Sequence, residues 1–266
     1  MVGKVVPRRL PNAGLVTGIA LAITVGIIAV LSFVLPMNST AAALLLDHTQ
    51  YSVFPYPFTI QNATYVIMAA GIADLYVRWR TAKYETAFLK QHFLPEDDTS
   101  VLQLKDLGPV RAKVVSLYDG DNGFLPYLID ISITQLQASR SVDQAVAILT
   151  SSLDLLMHRL DLRYQNVRYI SWLIPTIGFI GTVVGIAVAL EVINPKNPDI
   201  GKVTGAMAVA FYTTLIALIV SAIIVFLQHA VQKKEESALN SAGQYVLKNL
   251  INRLYIPDDV GQGSQK

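Results

Sequence analysis

YISWLIPTIGFIGTVVGIAVALEV, residues 169–192, is the stretch whose reading decides the fold. It has no charge between Arg168 and Glu191, and about 20 apolar residues on a helix cross the ~30 Å hydrocarbon core of a bilayer. The stretch is therefore a membrane-spanning helix. Its glycines, Gly178, Gly181 and Gly185, put small residues on one helical face. Such a face lets helix backbones approach closely inside lipid, so this helix expects helical neighbours.

The composition agrees. The chain has 266 residues, 53% of them hydrophobic and only 15% charged, which is more apolar than an ordinary soluble domain. It is an all-α, multi-pass membrane protein whose solvent is the lipid bilayer. A net charge of +2, with basic residues gathered at the flanks of apolar runs, gives no patch for nucleic acid. The chain has no cysteine, which excludes disulfides, iron–sulfur clusters and thiolate zinc sites. Its four scattered histidines make no metal-ligand spacing. No cofactor or metal is expected, and without a nucleophile–base constellation the chain is not expected to be an enzyme.

Taken in order, residues 1–13 form a short basic N-terminus. The apolar run 14–35 is read as a retained first span rather than a signal peptide, because it is longer than a usual signal core and no small-residue cleavage pattern follows it. Lys4, Arg8 and Arg9 place the N-terminus in the cytoplasm. Residues 36–57 lack Lys and Arg and contain Pro36, Pro55 and Pro57, which predicts an irregular outer loop. A second span, 58–77, is interrupted by Gln61, Asn62, Thr64 and Asp74 and ends at Arg78, Arg80 and Lys83. Residues 78–168 hold most of the charge and are expected to form a cytoplasmic helical domain. There Ser100 with Gln103 suggests a capping box, a helical piece is expected over 109–118, and Asp119–Gly123 reads as a tight turn rather than a calcium loop.

Ser141, with Gln144 as capping partner, opens a further helix. Its apolar residues, Val142, Val146, Leu149, Leu153, Leu156, Leu160 and Val167, follow heptad-like spacing. The expected use of this seam is packing on the protein's own cytoplasmic helices. No proline or glycine separates it from Tyr169, which predicts one unbroken helix from 141 through the third span, 169–192. An outer turn over 193–202 follows, then a fourth span, 203–227. Residues 228–266 are expected as a cytoplasmic amphipathic helix, with Leu239, Ala242, Val246 and Leu250 on its apolar face, and a disordered tail. The sequence thus predicts four transmembrane helices, long cytoplasmic helical extensions and both termini inside.

The fourth span carries Ala206, Ala210, Thr213, Thr214, Ala217 and Ser221 on one side. Thr182 lies in the glycine-rich face of the third span, and Thr213 and Thr214 lie at a similar depth in the antiparallel fourth. Hydroxyls at one level can coordinate a partly dehydrated cation or hold a chain of water, or accept a carboxylic acid from another chain. The ordinary alternative is packing and back-bonding alone. Asp74 and Glu191 are candidate relay acids by the rule that intramembrane acids are functional, although both stand near span ends. Neither the third nor the fourth span has an acid at mid-depth, so a proton carrier has to come from a partner.

Two segments resemble a known family. Pro175–Ile186, PTIGFIGTVVGI, is similar to the Pro-x-x-Gly-x-x-Gly-Thr-x-x-Gly segment of the MotA/TolQ/ExbB proton-channel family, and Ala210–Ile223, AFYTTLIALIVSAI, is similar to the span that follows it. The order of elements agrees over roughly 141–235. The resemblance implies a stator-like subunit of a motor in the bacterial inner membrane, driven by H⁺ or Na⁺. In such motors a homo-oligomer, a pentamer, surrounds two copies of a MotB/TolR/ExbD-like single-span protein, which has a periplasmic domain and a membrane Asp that takes and releases protons. It also implies that Thr182 and Thr214 face the pore, with Thr213 beside them. Pro175, Gly178, Gly181 and Gly185 match family positions, and Ala210 and Ala217 are small residues packing at the pore. Val209 stands where TolQ- and ExbB-like members often carry a Glu, and the second proline of flagellar stators is missing. The task powered is therefore left open between flagellar, Tol/Ton-like, gliding and defence systems. The competing expectation is a structural membrane scaffold with no ion conduction.

Overall fold

The computed structural model describes residues 11–97, 100–118, 122–191, 193 and 199–255. Among them the chain is all-α. Its helices are α1 (Ala13–Val34), α2 (Thr40–Leu46), α3 (Ile60–Phe88), α4 (Leu107–Val114), α5 (Phe124–Ser139), α6 (Val142–Arg163), α7 (Gln165–Glu191) and α8 (Ile200–Asn249). The one β-type pairing among the described residues is an isolated bridge between Leu102 and Leu254.

Among the described residues three helical runs are long and apolar enough to cross a membrane: Ala13–Val34, Val142–Glu191 taken through Tyr164, and Ile200–Arg253. α3 is not one of them. Gln61, Asn62, Thr64 and Asp74, and the charged residues from Arg78 onward, dilute its apolar content. The expected second span is thus a helix that starts at Ile60 and runs on to Phe88. The N-terminal basic residues, most of the outer turn, Asp119 to Asp121 and the C-terminal tail lie outside the described residues.

The chain divides into two compact units, one of residues 9–77 and 164–231, the other built mainly of 78–163 and the segment from 232 onward. In the apolar unit, α1 is capped by Asn12, whose Oδ1 accepts from Gly14 N at 3.0 Å, and it has no buried residue. The expected irregular outer loop contains α2. Ser39 caps that helix and Asp47 closes it in the left-handed conformation, a single-residue geometry that short polar side chains tolerate. α8 is one 50-residue helix that takes in the expected fourth span and the amphipathic helix after it. No proline stands between Pro198 and Pro257 to end it.

The expected unbroken helix from residue 141 is divided at Tyr164, which is wholly buried. Helical bonding resumes at once, with Arg168 N donating to Tyr164 O at 3.0 Å. Neither proline nor glycine stands there, and Val142–Glu191 still forms one run of 50 residues with a single turn residue in it.

The charged unit has a core of Leu107, Val114, Leu125, Leu128, Ile129, Ile133, Leu136, Leu156 and Leu160, joined by Leu239, Val246 and Leu250 of α8. The seam on α6 packs within this unit, with Ala145, Leu149, Ser152, Leu156 and Leu160 buried. Val146 is 36% exposed, so the buried face is rotated slightly from the heptad reading. Ser141 caps α6 as expected, Gln144 N donating to its Oγ at 3.4 Å. The capping box near Ser100 instead joins Gln103 to Asp106, while the Ser100 hydroxyl bonds Asp97.

Glu85, 3% exposed, takes over the start of α5. Its two carboxylate oxygens accept from Gly123 N at 2.7 Å and Phe124 N at 2.8 Å. These are two of the donors a helix N-terminus leaves unpaired. Gly123 permits the turn with φ of 92°, a left-handed value that suits glycine. Burial nonetheless pushes the Glu85 carboxyl up to about 7, with Glu235 adding to the rise and Arg163 opposing it. Arg163 and Glu235 themselves pair at 3.3 Å, with the Glu235 side chain wholly buried.

Candidate functional site

The site is built on the close approach of α7 and α8. α7 buries Val167, Ile174, Gly178, Gly181, Gly185 and Ala189, a stripe at the three- and four-residue spacing of one helical face. A Cβ on Gly181 would stand 2.7 Å from Thr213 Oγ1, and one on Gly185 2.7 Å from Ala210 Cβ. One on Gly178 would run into Ala217 Cβ. The glycines are what let the two backbones meet, and Ala210 and Ala217 are the small residues they meet.

That closeness brings hydroxyls of one helix onto carbonyls of the other. Thr182 Oγ1 donates to Ala210 O at 2.9 Å, and Thr214 Oγ1 donates back to Gly178 O at 3.0 Å. Thr213, buried at 3% exposure, bonds Ala210 O at 2.7 Å and reaches Gly178 O at 3.3 Å. The Thr182 and Thr214 hydroxyls also touch each other. A hydroxyl has one proton and two lone pairs, and all three protons have acceptors inside the helix pair. Thr182 and Thr214 are half-buried, so what they can offer outward is lone pairs. Such a site receives a cation, or the O–H of a neutral acid, rather than a carboxylate.

One turn and more toward the start of α7 lies a second polar contact that sequence reasoning missed. Pro175 has no N–H, so the carbonyl of Ser171, four residues earlier, loses its helical donor. Ser221 Oγ of α8 donates to that carbonyl at 2.9 Å. The Ser171 hydroxyl in turn donates to Val167 O at 2.9 Å and lies 3.4 Å from Gln228 Oε1. Its signal in the sequence was Pro175 itself, since a proline inside a span announces an orphaned carbonyl at i−4. Its partner, 46 residues after Pro175 in sequence, was not announced.

The two candidate acids stand elsewhere. Glu191 is the last residue of α7 and exposed, roughly 13 Å along the axis from Thr182 at 1.5 Å per residue. Asp74 is half-buried on α3, one turn beyond Gly71, whose added Cβ would meet Ile170 and Ile224. That registers Asp74 with the start of α7, roughly 20 Å from the threonine level.

A further set of polar groups lies between α2 and the first turns of α3. Asp47 is 2% exposed, Gln61 1%, Asn62 5% and Thr64 1%. Asp47 Oδ1, His48 Nδ1, Tyr56 OH, both polar atoms of Gln61, Asn62 Oδ1 and Thr64 Oγ1 are buried with no hydrogen-bond partner among the described residues. Each such group left dry costs about 1–3 kcal/mol. Left dry together, they would cost about as much as the whole net stability of a domain, about 5–15 kcal/mol. Burial raises the Asp47 carboxyl to about 6 against the lowering hydrogen bond from Ser52. Among the described residues no three metal-ligating His, Cys, Asp or Glu side chains come together.

Residues 127–242 match the family model described as the MotA/TolQ/ExbB proton channel family. The match takes in all of α6 and α7 and most of α8, and the family it describes is the one that Pro175–Ile186 and Ala210–Ile223 resemble. No curated protein and no solved structure matches the chain.

Proposed function

We propose that this chain is the pore-forming, stator-like subunit of a motor in the bacterial inner membrane, driven by H⁺ or Na⁺ flow. Four spans, with α3 as the second, both termini and the charged unit in the cytoplasm, complete the reading. Copies of the chain, five by family analogy, surround two copies of a single-span partner that carries a membrane Asp and a periplasmic domain. The observation that carries this reading is the contact of Thr182 with Thr214, whose protons have their acceptors within the helix pair, Ala210 O, Gly178 O and each other's oxygens. A partner's aspartic acid in its neutral form can donate to the outward lone pairs. Once ionised it finds no donor there. Hydrogen bonding to the neutral form alone raises that acid's pKa, which loads a proton at this level and releases it when the acid leaves. The chain supplies the acceptor surface and the partner supplies the carrier, in keeping with spans 169–192 and 203–227 having no acid at mid-depth.

The test is Thr182→Val with Thr214→Val, which keeps shape and removes both hydroxyls. The complex purified with its single-span partner is placed in vesicles under an imposed potential, and proton flux is read with an internal pH dye. Flux is expected to fall at least tenfold with the subunit count by native mass unchanged, and Thr182→Ser with Thr214→Ser is expected to restore it. Unchanged flux in the valine pair would sink the lining role. The scaffold alternative is favoured by the hydroxyls being satisfied inside the chain, and it predicts a loss of stability with no effect specific to the hydroxyls.

A further inference from the structure

The threonine pair explains how an ion is received at mid-depth but not how it gets there. The unpartnered polar groups of the apolar unit offer a route. Thr59 Oγ1 donates to Leu46 O at 3.0 Å and Asn62 Nδ2 to Pro57 O at 2.8 Å. His48 stacks on Tyr56 with ring centroids 4.3 Å apart. These contacts fold residues 46–62 into a cap over the start of α3, with Asp47 beside it.

Depth along α3 follows from Gly71. Its added Cβ would meet Ile170 of α7 and Ile224 of α8, so the Gly71 face of α3 looks onto the α7–α8 pair. Thr64 is seven residues earlier, two turns and within roughly 20° of the same face. It lies roughly 10 Å farther along the antiparallel α7, at the level of Gly178. Gln61 is one turn beyond, level with about residue 180. Thr64 thus faces the pair at the depth where Gly178, Thr182, Thr213 and Thr214 meet, Gln61 is buried roughly 80° round the helix from the Gly71 face at the same depth, and Asp47 and Asn62 continue the set toward α2.

We propose that Asp47, Asn62, Gln61 and Thr64 line a water-filled inlet inside one subunit, which brings a monovalent cation, hydronium or Na⁺, from the α2 side to the depth of the threonine pair. Buried polar atoms without protein partners are the usual hosts of ordered water. Five of the seven unpartnered atoms are oxygens, and neutral oxygens with one carboxylate suit a hard monovalent cation that keeps part of its hydration. The inlet rests on the proposed function for its purpose but not for its existence.

The chain has no cysteine, so single substitutions report directly. Gln61→Cys and Thr64→Cys are compared with Val66→Cys and Ile72→Cys, whose native side chains are exposed on the apolar unit. In sealed vesicles of each orientation, Ag⁺ is added outside and the thiol left unreacted is counted by maleimide after denaturation. Residues 61 and 64 are expected to react at least tenfold faster than 66 and 72, from the α2 side only. Equal rates at all four positions, or access only from the opposite side, overturn the inlet. Thr64→Val, close to isosteric, gives a second measure. A hydrated inlet predicts reduced flux with unchanged Tm, and a dry site predicts a raised Tm with unchanged flux. If the wild-type complex carries no ion at all, the motor reading fails while the Ag⁺ rates still decide the inlet.

Discussion

Gly185→Ala tests whether helix proximity or glycine's flexibility is what α7 needs. Gly185 sits inside a helix, so its value lies in having no Cβ. The alanine methyl would stand 2.7 Å from Ala210 Cβ and 3.2 Å from Ala210 Cα, whereas carbon atoms rest at about 3.5–4.0 Å. The helices must part by about 1 Å at this level. Overpacking of this size costs about 1–3 kcal/mol. The same movement takes the bond from Thr182 Oγ1 to Ala210 O, now 2.9 Å, beyond hydrogen-bonding range, and an interhelical bond in a membrane averages about 0.6 kcal/mol. Alanine returns roughly 1 kcal/mol of helix propensity, so thermal unfolding in detergent, followed by tryptophan fluorescence, should show Gly185→Ala destabilised by about 1–3 kcal/mol, with proton flux of the complex lost alongside. Gly185→Ala combined with Ala210→Gly removes the methyl collision. It should recover the stability in full, since the helical glycine removed at 185 and the one added at 210 cancel in propensity at roughly 1 kcal/mol each. Stability of the single variant within about 0.5 kcal/mol of wild type, or no recovery in the pair, would refute close approach at this level.

Ser221→Ala leaves the Ser171 carbonyl without its donor, at a cost of about 1–2 kcal/mol. Adding Pro175→Ala returns an N–H to that carbonyl, so the double variant is expected to be more stable than Ser221→Ala alone, as read by the same unfolding measurement. Glu85 gives a pH signature. Its carboxyl, pushed by burial from 4.5 to about 7, is protonated in both folded and unfolded chains below about pH 4.5. Between there and about pH 7 only the unfolded chain gives up the proton, so stability falls as pH rises across that window and levels off above it. Urea unfolding from pH 4 to 8, monitored by circular dichroism, should show wild type losing stability relative to Glu85→Gln at no more than about 1.4 kcal/mol per pH unit. A difference that stays flat, or grows in favour of wild type with rising pH, contradicts the assignment. In the apolar unit, Thr182→Val with Thr214→Val is expected to abolish flux with assembly intact.

Local chemistry carried much of the fold into view. The stripe Gly178, Gly181 and Gly185 was legible because a helix repeats every 3.6 residues, and small residues at that spacing have one use inside lipid. The apolar face of the last helix was legible for the same reason, and Leu239, Ala242, Val246 and Leu250 are all buried. Where pattern and packing disagreed, packing decided. Val146 follows the heptad spacing yet is partly exposed, while Ala145 beside it is buried. Gln61 and Thr64 weakened the reading of a second span, because polarity alone points outward, but both side chains are buried.

By itself, then, the sequence determined that the chain is helical, apolar, built around residues 169–192 and able to bring hydroxyls to one depth. Those properties follow from composition and from spacing along a single helix. Only the tertiary structure decided that Thr182 and Thr214 touch and reach the carbonyls of each other's helices, that Ser221 answers the carbonyl Pro175 sets free, and that Gln61 and Thr64 of α3 are buried. These facts depend on the register between helices. Register is set by how closely glycine and alanine let two backbones pack, which no single helix can specify alone.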